Sequence, residues 1–189
     1  MKKSCLIFCV VACCVYFPAK AQHKKPGFNS INTVGISNGQ SGAALLFQTV
    51  NGCEFTKWFS GIGIGADYYG YNSFPLFIDV RRYFGKISKG FAYADLGYNL
   101  KGKNKPGKEI NYIYTSYHFT GGLYTDIGVG YKMKCRARSS FVISAGYSYK
   151  GISNKLGVIS GCYTASCPVN YSTYKYGNGR VVLRAGVDF

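Results

Sequence analysis

Histidine, acidic side chains and long apolar runs are all scarce in this chain. Of 189 residues only two are His and seven are Asp or Glu, against 23 Lys or Arg, and charged residues make up 16% of the total. So few imidazoles leave little acid–base capacity near neutral pH, and the chain is not expected to be an enzyme. No cofactor and no metal site is expected, because no Cys, His and acid set falls at ligand spacing. The longest apolar run, Cys5 to Phe17, is 13 residues. A spanning helix needs about 20, which excludes a helical membrane protein. Disorder is excluded too, since a hydrophobic content of 47% can bury a core. What is abundant is Gly (25), Tyr (18) and Phe (13). Rich in these without low complexity, the chain reads as one domain of many short strands.

The first residues read as a secretory signal peptide, residues 1–21, removed on export. Met1, Lys2 and Lys3 form the basic region, Cys5 to Phe17 the apolar region, and Ala19-Lys20-Ala21 the small-x-small cleavage site. Cleavage leaves residues 22–189 as a single domain beginning at Gln22. A weaker alternative is acylation at Cys13 after Val10-Val11-Ala12, which leaves the apolar stretch Cys13 to Phe17 without a role. Export places Cys53, Cys135, Cys162 and Cys167 in an oxidising compartment, where four cysteines allow three pairings. Cys162 and Cys167 lie close together in one irregular segment, and their local disulfide is the favoured pairing.

Alternate positions sort into two faces along most of the remaining chain. Trp58, Ile62, Ile64, Ala66 and Tyr68 oppose Gly61, Gly63, Gly65 and Asp67. Phe74, Leu76, Ile78, Val80, Arg82 and Phe84 oppose Phe77, Asp79, Arg81 and Tyr83; Ala92, Ala94, Leu96 and Tyr98 oppose Asp95, Gly97 and Asn99. The same pattern covers Leu123 to Tyr131, Phe141 to Tyr149 and Val181 to Phe189. Less regular strands are expected near Ser30 to Ser37 and Ala43 to Asn51, for a total of eight.

Three features choose which face is inside. Asp67, Asp79, Asp95, Asp126 and Asp188 all fall on the small, polar face, while Glu54 and Glu109 are assigned to connections. Gly, Ser and Asp suit a narrow interior shared by eight strands. Trp58 and Tyr68, like Phe74 and Phe84, are ten residues apart on one face. At ~3.3 Å per residue and a tilt of ~40° that spans about 25 Å, the height of a lipid-facing band between two aromatic girdles. The expected girdle residues are Trp58, Tyr68, Phe74, Phe84, Tyr131, Tyr149 and Phe189. Connections also differ in length: Cys53 to Thr56, Gly85 to Ser88 and Lys134 to Arg138 are short, whereas Leu100 to His118 and Gly151 to Asn178 are long. The expected fold is therefore all-β: an eight-stranded antiparallel transmembrane β-barrel, an up-and-down meander with short periplasmic turns and long extracellular loops.

The signal peptide, the strand pattern, FPLFIDVRRYFGK (Phe74 to Lys86), FAYADLGYNL (Phe91 to Leu100) and the ending RVVLRAGVDF (Arg180 to Phe189) together resemble the small outer-membrane β-barrel proteins of Gram-negative bacteria, the porin-family or OmpA/OmpX-like barrels. The resemblance spans essentially the whole mature chain. Its most specific part is the last strand: Leu183, Ala185, Val187 and terminal Phe189 match the family's ending, which implies recognition by the barrel assembly machinery. The first strand departs from the pattern, since its apolar face is thin, and the Cys162/Cys167 pair is not a family mark. The implied location is the bacterial outer membrane.

A barrel of eight strands leaves a bore only wide enough for side chains. An ion-pair network of Asp67, Asp79, Arg81, Asp95, Asp126, Lys132, Arg184 and Asp188 is expected there, in place of a pore. The long loops are then the working surface. Lys101, Lys103, Lys105 and Lys108 form a basic loop suited to outer-membrane lipid, including lipopolysaccharide phosphates, and the compartment argues against nucleic acid. Tyr163, Tyr171, Tyr174 and Tyr176 make the other loop aromatic. The leading reading is a monomer with a structural or surface-interaction role. Two others are weighed beside it: a lipid-modifying enzyme built on Ser116, His118 and Glu109, which lacks any motif for an oxyanion hole, and a narrow channel or small-ligand carrier.

Overall fold

The structure is a computed structural model and describes residues 26–70, 72–85, 90–102, 115–135, 139–159 and 169–189. The signal segment 1–21 and Cys13, the pair Cys162 and Cys167, and Lys103, Lys105, Lys108 and Glu109 lie outside the described residues. Among the described residues nine strands run in order: β1 (Gly27–Gly39), β2 (Gly42–Phe55), β3 (Trp58–Asp67), β4 (Ser73–Phe84), β5 (Gly90–Lys101), β6 (Thr115–Thr120), β7 (Gly122–Lys134), β8 (Ser140–Ile159) and β9 (Val169–Asp188). All neighbouring pairs are antiparallel, and the sheet closes through β1 and β9.

β6 and β7 are two halves of one stave. β7 pairs with the first half of β8, and β6 continues the ladder on its second half, from Thr120↔Ser153 to Thr115↔Val158. Only Gly121 separates them. A Cβ there would collide with the Asn99 carbonyl oxygen, so the chain passes β5 at this point without a side chain. Counted this way the barrel has eight staves in meander order.

Register fixes the shape. One ladder runs Asn29, Gly52, Gly61, Asp79, Asp95, Asp126, Ser148, Arg180 and returns to β1 at Gly39, ten positions from its start. Eight strands staggered by that much tilt by roughly 40° from the barrel axis and enclose a bore that side chains fill.

The alternation read from the sequence is the alternation of inside and outside. On β4, Phe74, Leu76, Ile78, Val80, Arg82 and Phe84 face out, while Phe77, Asp79, Arg81 and Tyr83 are buried inside. β3, β5, β7, β8 and β9 follow the same rule. β1 and β2 are longer than the stretches 30–37 and 43–51 expected of them. Their weaker contrast hid the ends. At the barrel end that carries both termini, β2 and β3 are joined by a tight turn that holds Thr56 at a φ of 47°.

The long segment 151–178 is corrected most. Expected as loop, it is mainly strand: β8 and β9 each have 20 residues and pair from Gly151↔Gly177 to Ile159↔Val169. Likewise Ser116 and His118, expected in a loop, lie on strand β6.

Candidate functional site

The interior is packed at three levels along the axis. At the end away from the termini, Arg180 donates from Nη1 to Asp67 Oδ1 at 2.8 Å, and its Nη2 lies 2.5 Å from Asp67 Oδ2. Lys150 Nζ adds a contact to Asp67 at 3.4 Å and donates to the Tyr69 carbonyl at 2.8 Å. The Arg180 guanidinium also covers the Tyr69 ring. β8 and β9 supply both cations, because at positions 150 and 180, one residue beyond the alternation read for these strands, their inward parity continues.

At the middle level Arg184 pairs with Asp126 and donates to Tyr93 Oη at 2.8 Å. Tyr93 and Tyr124 both donate to the same carboxylate, at 3.0 and 3.3 Å, and Gln48 donates to Tyr124 Oη at 2.8 Å. On β4, Arg81 clasps Asp79 two residues away through Nε and Nη2, at 2.7 to 3.0 Å. Asp79 was expected to face a cation across the bore; its partner is on its own strand. Asp95 sits between Asp79 and Asp126 in register, and its Oδ1 has no hydrogen-bond partner among the described residues.

At the end nearest the termini, Lys132 lies 2.5 Å from Asp188 and 3.3 Å from Glu54. Glu54, assigned to a connection from sequence, is on β2 and also accepts from Asn29 Nδ2 at 3.0 Å. Among the described residues the bore thus holds six acids, Glu54, Asp67, Asp79, Asp95, Asp126 and Asp188, and five cations, Arg81, Lys132, Lys150, Arg180 and Arg184. Near balance is what a low-dielectric interior requires, because a buried charge without a partner is expensive.

The filling between the ion pairs is aromatic; the alternation read from the sequence places Phe77 and Tyr83 on the inward face beside Asp79 and Arg81 but assigns no inward place to the other rings. Phe59, Tyr69, Phe77, Tyr83, Phe91, Tyr93 and Tyr124 are all buried inside. Arg81 is ringed by Phe59, Phe91 and Tyr93 at 5.3 to 5.9 Å, a cation–π arrangement. Glycines make room for these rings: a Cβ at Gly63 would strike Phe77, one at Gly130 would strike Phe91, and one at Gly146 would strike Tyr93.

The outer face is an apolar belt. Trp58, Tyr68, Phe74, Phe84, Tyr131, Tyr149 and Phe189 are all exposed there, as are Leu183 and Val187, with Ala185 half-buried beside them. Arg82 is the outward cation of β4, and it stacks on Trp58 at 5.4 Å. Lys101 ends β5 and is exposed. Above the belt, the last part of β8 and the first part of β9 form a ribbon with Tyr174 and Tyr176 exposed. Among the described residues Cys53 and Cys135 form no disulfide, Cys53 being half-buried on β2 and Cys135 exposed after β7. No His, Cys and acid group that could hold a metal occurs among the described residues.

No family model matches the chain, and no curated protein matches it. Solved structures of outer-membrane barrels are similar, two of them as follows. The outer membrane protein AlkL, determined in DMPC lipid bilayers, shares 10% identity at a TM-score of 0.50, over 92% of this chain and 94% of that one. The outer membrane protein OprG from Pseudomonas aeruginosa shares 13% identity at a TM-score of 0.55, over 89% and 97%. At such identities the likeness is one of fold, and that fold, an eight-stave antiparallel barrel with an apolar exterior, is the fold of the small outer-membrane β-barrel proteins.

Proposed function

We propose that the protein is an integral outer-membrane barrel with a closed interior, acting as a structural or surface-interaction protein through the barrel end away from its termini. The observation that carries this reading is the filled bore: ion pairs at three levels, with seven buried aromatic rings between them. A water-filled path would need these side chains to move together, each leaving a buried charge unpaired. The working surface is then the ribbon of β8 and β9 with exposed Tyr174 and Tyr176, together with the basic segment that begins at Lys101. Lys101, Lys103, Lys105 and Lys108 suit phosphate groups of outer-leaflet lipid, lipopolysaccharide among them. Export with loss of residues 1–21, and delivery through the barrel assembly machinery by Leu183, Ala185, Val187 and Phe189, complete the proposal.

The test has two arms. In a planar lipid bilayer the purified protein should give no stepwise conductance; regular current steps would favour the narrow-channel reading instead. Replacing Lys101, Lys103, Lys105 and Lys108 together with Ala should weaken binding to lipopolysaccharide-containing vesicles while leaving heat-modifiable gel migration intact. Unchanged binding would remove the basic segment from the account.

A further inference from the structure

The apolar belt has a gap. On most of the barrel the outward side chains are Leu, Ile, Val, Ala or aromatic, and the first two strands follow suit at Phe28, Val34, Ile36, Leu45, Phe47 and Phe55, but between Phe28 and Val34 on β1 and between Phe47 and Phe55 on β2 they do not. Ser30 and Asn32 of β1 and Thr49, Asn51 and Cys53 of β2 point outward, and register places them side by side as Ser30↔Asn51, Asn32↔Thr49 and Phe28↔Cys53. Their parity is fixed by inward Ile31 and Val50, which are buried. At ~2.5 Å of height per residue, Asn51, Asn32 and Thr49 stand roughly 7 to 12 Å above the level of Trp58, inside the belt and away from headgroups. Asn32 donates to Ser30 Oγ at 3.3 Å, whereas the exposed Asn51 amide makes no side-chain hydrogen bond among the described residues.

The same place is a shallow, open depression in the outer wall. A groove of about 700 Å³ has Asn32 and Thr49 in its floor, with Phe47 and Ile64 on one bank and Phe141 and Val187 on the other. Acyl chains can fill a groove but cannot hydrogen-bond, so lipid leaves these amides unsatisfied.

We propose that the polar seam of β1 and β2 is an interface for a second copy of this chain, packed side by side in the membrane. Two copies inserted in the same direction are related by a two-fold axis along the membrane normal, so each residue meets the partner's surface at its own height. Asn32, Thr49 and Asn51 therefore meet Asn32, Thr49 and Asn51, and an amide that both donates and accepts is complementary to itself. The seam carries no outward charge, which suits a contact between like surfaces. Cys53 lies at the lower end of the same seam and reports on it.

The experiment uses the mature chain refolded into phospholipid vesicles, with Cys135, Cys162 and Cys167 changed to Ser so that Cys53 is the only thiol. A short bis-maleimide should link two chains through Cys53. The pair Asn32→Leu and Asn51→Leu, which suits the lipid face and so leaves folding intact by heat-modifiable migration, should weaken association by about tenfold in sedimentation equilibrium. The control Cys53→Ser with Ile127→Cys places the thiol on the opposite wall and should not link. A monomer in the vesicles overturns the proposal, as does an association that the double Leu variant leaves unchanged. Linking through Ile127→Cys in preference to Cys53 overturns it too, since the interface would then lie elsewhere.

Discussion

β4 and β1 are staves of the same barrel, both bounded by lipid on one side and the packed bore on the other, yet they solve the problem differently. β4 presents Phe74, Leu76, Ile78, Val80 and Phe84 to the membrane and sends Phe77, Asp79, Arg81 and Tyr83 inward, so its two faces differ as sharply as the two media. β1 buries Ile31, Gly35 and Ser37 while showing Ser30, Asn32 and Asn38 beside Val34 and Ile36. A strand may carry ion pairs inside because the bore supplies partners. Polar groups outside have no such supply from lipid, so the weak contrast of β1 marks a place where protein can replace it.

Four substitutions sharpen the contrast. Asp79→Ala leaves Arg81 buried without its carboxylate and should cost about 3 to 5 kcal/mol in urea unfolding followed by gel migration. Asp79→Ala without measurable loss would mean that the β4 pair contributes nothing to the bore. Ile78→Lys puts a charge near mid-height on the lipid face of β4 and should cost about 2 to 4 kcal/mol in the same assay. Gly63→Val forces a branched side chain against Phe77 and should cost about 1 to 3 kcal/mol, partly recovered by adding Phe77→Leu. The mildest is on β1: Ser37→Ala removes a hydroxyl that donates to the Ala44 carbonyl at 3.3 Å, worth about 0.5 to 1.5 kcal/mol.

The same contrast explains what could be read in advance. β4 was legible in full because Asp79 and Arg81 alternate with Leu76, Ile78 and Val80, and the two parities cannot be confused. Phe91 and Tyr93 were not placed inside, since an aromatic ring suits either a lipid belt or a packed bore. The signal that places them is on neighbouring strands: Gly130 is the register partner of Phe91, and Gly128 that of Tyr93. Lys150 and Arg180 share parity with Ser148 and Arg184, but the Tyr-rich, irregular stretch between them masked the strands that carry them inward. Glu54 shares the parity of Val50 in the same way and was lost to an early end of β2. Ion-pair partners were the least legible part, because Asp79 takes its cation from its own strand whereas Asp126 takes one from β9.

Trp58 offers the most direct test of the central claim, that the apolar belt of the barrel looks outward at lipid. It is the only tryptophan in the chain, is half exposed on the outer face, and stands at the girdle near the termini. In vesicles of lipids brominated along the acyl chain, its fluorescence should be quenched strongly, most by bromine near the headgroup end, and little by iodide in the water. Strong quenching by iodide with none from brominated lipid would place Trp58 in water and contradict the assignment of the two faces.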